Sequence, residues 1–178
     1  ATVSTENRTL KLDGANDYVA VDATSQLDLS TTSTFTLESQ VYSTSTDNGF
    51  HGIMGYHPGS LEDRYPGMWI YKETGIHFGF GDGTNWYHKT VNNVLTKGAW
   101  NHVAMTYDGT SLKLYVDAQE VYSTNAYAGK TLNTTQQIEI GKASSYAFEG
   151  QLDNAGVWNV ARTQTEIQAS MNGEVTGA

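Results

Sequence analysis

Trp69 and Tyr71 stand two residues apart, as do Trp86 and His88, and between the pairs Ile76, Phe78 and Phe80 alternate with His77 and Gly79. Alternate side chains of a strand share one face. With Ile76, Phe78 and Phe80 pointing into a core, His77 and Gly79 point the other way. A register that aligns the three runs then gives a strip of rings with a shallow gap at Gly79. Such a strip suits sugars, whose apolar C–H faces pack on rings while hydroxyls meet polar groups. The competing role is core packing, because Trp and Tyr bury so much area. Trp100 and Trp158 are assigned to the core on that ground.

The stretch from Ser43 to Gly67 is a second candidate, with Tyr56, His57 and Arg64 in it and a strand expected over Gly52–Tyr56. Long connections often carry function. Arg64 could hold the carboxylate of an acidic sugar in a bidentate contact, or else pair with Glu62 or Asp63. His51, His57, His77, His88 and His102 show no helical i, i+4 pairing and no carboxylate at zinc-site spacing. Glu38, Glu62, Glu73, Glu120, Glu139, Glu149 and Glu166 are isolated from one another along the chain. A Gly-x-Ser-x-Gly elbow and a phosphate-binding loop are both missing from the sequence. Asn7-Arg-Thr9 and Asn133-Thr-Thr135 match the glycosylation pattern, which chance supplies often in a Thr-rich chain.

The elements that must position these residues have period two. Phe35, Leu37, Ser39 and Val41 alternate with Thr36, Glu38, Gln40 and Tyr42; Val103, Met105 and Tyr107 with His102, Ala104 and Thr106. Leu112–Val116, Ile138–Ile140 and Phe148–Trp158 are further strands by the same criterion. Asp82-Gly83, Lys97-Gly98 and Asp108-Gly109 mark turns. Thr163 and Glu166 have capping-box spacing, and Ile167 and Met171 lie four apart, which predicts a short helix. Many short strands with polar links make an all-β, two-sheet antiparallel sandwich, taken as one domain over 1–178 with linker-like ends.

Composition narrows the function. The 178 residues carry 19 Asp plus Glu against 10 Lys plus Arg, a formal charge of −9, and no Cys. Scattered basic residues exclude a duplex nucleic-acid surface, which needs clustered Lys and Arg. No apolar run is long enough for a spanning helix, so membrane insertion is not expected. Thiol chemistry and disulfides are excluded outright. The sequence opens without the basic and apolar stretches of a signal peptide, which reads as a processed chain or a piece of a larger one. Few charges with abundant Thr, Ser, Asn and Gly suit a secreted or surface protein.

LKLDGANDYVAV (10–21), TFTLESQVY (34–42), GAWNHVAMTYDGTSLKLYVDAQEV (98–121), IEIGKA (138–143) and FEGQLDNAGVWNVARTQTEI (148–167) follow one another in order. Together they resemble the laminin G-like modules of the concanavalin A-like lectin/glucanase superfamily. The resemblance implies a jelly roll and a structural calcium, for which Asp153 and Asp13 match the ligand positions. The chain departs from the pattern at Ser39-Gln40, Ala118 and Ala155-Gly156. Glucanases of this fold place two Glu around an Asp on one strand, and no such cluster occurs here. The expectation is a non-catalytic carbohydrate-binding module of a larger secreted or surface protein, with Tyr56, Arg64, Trp69, Tyr71, His77, Trp86 and His88 as glycan contacts. The alternatives are an adhesion or protein-interaction module and a glycan-cleaving enzyme.

Overall fold

Period-two runs with one apolar face must cover that face, and here two sheets cover each other. The computed structural model describes residues 2–3, 9–22, 29, 33–56, 64–132, 137–171 and 173. In chain order its strands begin with β1 (Thr2–Val3), β2 (Leu10–Asp13), β3 (Val19–Val21), β4 (Phe35–Ser43) and β5 (Phe50–Gly55). Next come β6 (Gly67–Tyr71), β7 (Gly75–Gly81), β8 (Trp86–Val91), β9 (Asn101–Tyr107) and β10 (Leu112–Val116). The last are β11 (Gln119–Thr124), β12 (Ile138–Ile140), β13 (Lys142–Ala143), β14 (Tyr146–Ala147) and β15 (Glu149–Trp158), followed by helix α1 (Gln164–Met171). One antiparallel sheet runs β1-β2-β15-β4-β9-β10-β11, a second runs β3-β12-β5-β6-β7-β8, and β13 and β14 form a small hairpin.

The core lies between the sheets. Phe35, Leu37 and Val41 of β4 and Met105 and Tyr107 of β9 meet Met68 and Ile70 of β6 and Ile76, Phe78 and Phe80 of β7. Phe80 bridges the layers, its ring centroid 5.7 Å from Phe35 and 4.7 Å from Tyr107. The β9–β10 turn follows the sequence: Gly109 has φ +86° and Asp108 Oδ1 accepts from the amides of Thr110 and Ser111 at 2.8 and 2.6 Å.

The capping box also forms, with Thr163 N donating to Glu166 Oε2 at 2.7 Å and Glu166 N to Thr163 Oγ1 at 3.3 Å. Helix α1 lays Ile167 on Ala104, Tyr115 and Ala118, sealing the outer face of the seven-stranded sheet. Beneath it Glu38 is fully buried. Arg162 Nη1 and Ser170 Oγ both donate to Glu38 Oε1, at 2.5 and 2.8 Å. Burial raises the Glu38 pKa, while Ser170 and Arg162 pull it back. His102 Nε2 approaches Glu38 Oε2 to 3.5 Å, but burial depresses His102 to about 4, so this is not an ion pair at neutral pH.

Two expected core residues lie elsewhere. Trp100 is 42% exposed and packs on Tyr42 at 5.7 Å, because it shares the outward parity of His102 and Ala104. Trp158 also faces outward, under the Arg162 guanidinium at 4.4 Å. A bulge between Asp153 and Gly156 shifts the alternation, so that Leu152 and Val157 face the core and Trp158 does not.

Candidate functional site

Helix α1 occupies one outer surface; the outer face of the six-stranded sheet carries the rings. Register on β6, β7 and β8 aligns Trp69 with His77 and His77 with Thr90, then Gly67 with Gly79 and Gly79 with His88. Gly81 faces Trp86 on the next rung. The glycines make room: a Cβ at Gly79 would sit 2.8 Å from His88 Cβ, and one at Gly67 would sit 2.6 Å from the Trp69 ring. The strip expected from spacing therefore exists.

Its rings are continuous. Trp69 meets Trp86 edge-on at 6.0 Å and His77 at 5.6 Å, and His88 stacks on Trp86 at 5.7 Å and 12°. Phe50 of β5 extends the strip, stacked on Tyr71 at 4.6 Å and 5.3 Å from His77. Tyr146, 5.4 Å from Phe50, walls one side. The β13–β14 hairpin brings Tyr146 there because Gly52 leaves space beneath it; a Cβ at Gly52 would lie 2.7 Å from Tyr146 O and overlap the Ala143 nitrogen. Phe50 and Tyr146 escaped the sequence reading, since neither sits in an alternating run. The paired glycines 52 and 67 are the signal that marks close approach.

Depth separates the members. Trp69 is 2% exposed and forms a floor, whereas Trp86, His88 and Tyr71 are partly or well exposed. Arg64 lays its guanidinium over Trp86 at 4.8 Å and Trp69 at 5.6 Å. A cleft of about 80 Å³ opens between Phe50, Arg64, Trp69, His77 and Tyr146. His77 donates or accepts at Thr90 Oγ1, 2.8 Å from its Nδ1. Burial first, then His88 and Arg64, depress His77 to about 4; burial and Arg64 lower His88 as well. At neutral pH His77 is thus an uncharged imidazole, and Arg64 is the fixed cation of the cleft.

Tyr56 does not join the strip; it packs against the core between the sheets. His57, Glu62, Asp63, Asn7 and Asn133 lie outside the described residues. Asp13 and Asp153 are not brought together. Asp13 pairs with Glu149, and Asp153 lies four positions further along β15, about 13 Å away at about 3.3 Å per residue. Two Asp side chains cannot close that gap around a calcium needing oxygens at roughly 2.4 Å. Asp13 Oδ1 instead accepts from Ala15 N at 2.9 Å in a capped turn, and Asp153 Oδ1 from Asn154 N at 2.8 Å. The pair does not fit a shared ion, and among the described residues no three His, Asp or Glu side chains cluster as a metal site.

Ser45, His51 and Asp47 meet, but not as a relay. Ser45 Oγ and Asp47 Oδ1 both approach His51 Nε2, at 2.7 and 2.8 Å, while Nδ1 faces Ala147 O at 3.3 Å. Nucleophile activation needs the hydroxyl and the carboxylate on opposite nitrogens. The contacts secure the loop between β4 and β5.

Two antiparallel sheets, one sealed by a helix and one open with a ring-lined outer face, define a laminin G-like jelly roll. The family model described as the concanavalin A-like lectin/glucanases superfamily, a laminin G family, matches residues 13–168, and the chain belongs to it. Mouse pappalysin-1 is 35% identical over 79 residues, 42% of this chain and 5% of that protein. Among solved structures, the CBM40 of the Ruminococcus gnavus IT-sialidase, bound to α2,3-sialyllactose, has a TM-score of 0.71 at 16% identity, covering 90% of this chain and 96% of that one. The leech intramolecular trans-sialidase has a TM-score of 0.73 at 18% identity, covering 96% of this chain and 27% of that one. These likenesses establish the fold.

Proposed function

We propose that the protein is a non-catalytic carbohydrate-binding module and that its binding surface is the outer face of the six-stranded sheet. The observation that carries this is the unbroken series of rings from Tyr71 through Phe50 and His77 to Trp86 and His88. Sugar C–H faces pack on the partly exposed rings, while Arg64, His77 and Tyr146 supply polar contacts. The sialyllactose-bound CBM40 of the same fold supports a glycan as ligand. Absence of catalysis is inferred from the carboxyls. Glu38 and Glu139, both raised in pKa by burial, lie in different sheets and cannot flank one glycosidic bond. Asp82, near the rings, is committed to its turn, accepting from Thr84 N, Asn85 N and Tyr87 Oη at 2.7–2.9 Å. The chain spans 5% of mouse pappalysin-1, which supports reading it as a module of a larger secreted or surface protein.

A glycan array with Trp86→Ala and Tyr71→Ala tests the reading. Each change should weaken binding about tenfold, or about 1.4 kcal/mol, with the melting temperature kept. Binding indifferent to both substitutions would remove this face from the proposal, and an array without signal would remove glycan binding altogether.

A further inference from the structure

The small cleft is walled by the rings of Phe50, Trp69 and Tyr146, and one of its lining groups is an orphaned donor. We infer that this cleft takes the acetamido group of an N-acetylated sugar. The inference rests on the carbohydrate-binding reading and adds the ligand class.

The donor is the Trp69 indole. Trp69 is 2% exposed, yet its Nε1–H has no hydrogen-bond partner in the protein. A buried donor left unpaired is costly, and an acceptor carried in by a ligand satisfies it. The benzo end of the indole lies over Gly67, where an added Cβ would meet Cη2 at 2.6 Å and Cζ3 at 2.9 Å. The pyrrole end, which carries Nε1, therefore stays on its own rung beside His77, where the cleft opens.

His77 supplies the complementary group. Its Nδ1 is taken by Thr90 Oγ1 at 2.8 Å, and burial keeps the ring uncharged at neutral pH. With the proton on Nδ1, Nε2 is an acceptor. An amide offers both halves of the match, a C=O for Trp69 and an N–H for His77. Size points the same way. The cleft's volume of about 80 Å³ is about two to three times the roughly 30 Å³ of one water, which suits one small substituent and not a sugar ring. The acetamido methyl covers apolar surface of Phe50 and Tyr146 that a hydroxyl would leave wet. The sugar ring itself rests outside, on Tyr71, Trp86 and His88.

Arg64 closes one side with its guanidinium on the Trp69 and Trp86 faces, and it has a further interaction within the protein. The match needs no charge from it. Trp69 Nε1–H and His77 Nε2 are both uncharged, so they favour a neutral substituent over an anionic one.

The experiment is a glycan array, followed by calorimetry on pairs that differ only at the acetamido position. The pairs are chitotriose against cellotriose, methyl N-acetylgalactosaminide against methyl galactoside, and 3′-sialyllactose against its analogue with a hydroxyl in place of the acetamido group. The expected result is signal on N-acetylated glycans and, in at least one pair, binding about tenfold tighter for the acetamido member. The pair that shows it identifies the sugar. In that complex the Trp69 indole proton should move downfield in NMR, and Trp69→Phe, which keeps a ring without the N–H, should lose most of the difference. No pair with such an advantage, an advantage that survives Trp69→Phe, or signal on glycans without acetamido groups alone overturns the acetamido subsite and leaves carbohydrate binding standing. A blank array overturns both. If Trp69→Phe does not fold, the paired comparison and the indole resonance of the unaltered protein decide the question.

Discussion

Acidification should destabilise this fold through His77, and the size of the effect follows from the site. Its imidazole is 8% exposed, bonded to Thr90 Oγ1, and faced by Phe50, Trp69, Trp86, His88 and Arg64. These surroundings hold it at about 4, against 6.5 in an unfolded chain. Between those values the unfolded chain binds a proton that the folded one refuses. Stability is therefore complete above about pH 6.5 and falls as pH drops, by about 1.4 kcal/mol per unit, until about pH 4. The sum is about 3 kcal/mol from this one residue. His102, also at about 4, acts in the same direction, while Glu38 and Glu139, raised by burial, act in the opposite one. Their contributions cancel in a comparison of the native chain with His77→Gln. Urea unfolding of both proteins from pH 7 to 4 should show the native chain losing about 3 kcal/mol relative to the variant. A difference that stays flat across this window would refute the reasoning, as would a His77 ring resonance that titrates near 6.5.

Other perturbations probe separate parts of the structure. Arg162→Ala leaves the buried Glu38 carboxyl without its cation and should cost about 3–5 kcal/mol in denaturant unfolding; adding Glu38→Gln should recover part of the loss. Gly52→Val drives a side chain into the β13–β14 hairpin and should cost about 1–3 kcal/mol while displacing Tyr146, seen as lost glycan binding and altered tyrosine fluorescence. Because register separates Asp13 from Asp153, calcium and EDTA should leave the melting temperature unchanged; a fall of several degrees on chelation would contradict that geometry.

The alternation of Ile76, Phe78 and Phe80 with His77 and Gly79 was enough to sort core from outer face, and the register confirmed it across β6, β7 and β8. The Thr163–Glu166 box and the Asp108-Gly109 turn were legible because their chemistry is local. What escaped depended on distant partners. The bulge in β15, between Asp153 and Gly156, changed the parity of Trp158; Gly156 is a local hint of it, but the alternation around it did not show which residues it displaces, and Asn154 adopts φ +48°. Spacing showed that Trp69 shares a face with Tyr71, but not that it sits beneath Arg64 and Tyr146. The separation of Asp13 and Asp153 is set by strand offset, which neither segment encodes alone.

The glycine-and-ring rungs of β6, β7 and β8 also constrain how such a surface can change over generations. An insertion of one residue in any of the three strands would exchange its inner and outer sets, pushing Phe78 into water and His77 into the core. Under the proposed function, ligand preference would change by point replacement at every second position, by varying the turns that cap the strands, or by a bulge that absorbs the added residue. Length variation should concentrate in those turns, and the strands should stay constant in length among proteins that bind quite different ligands.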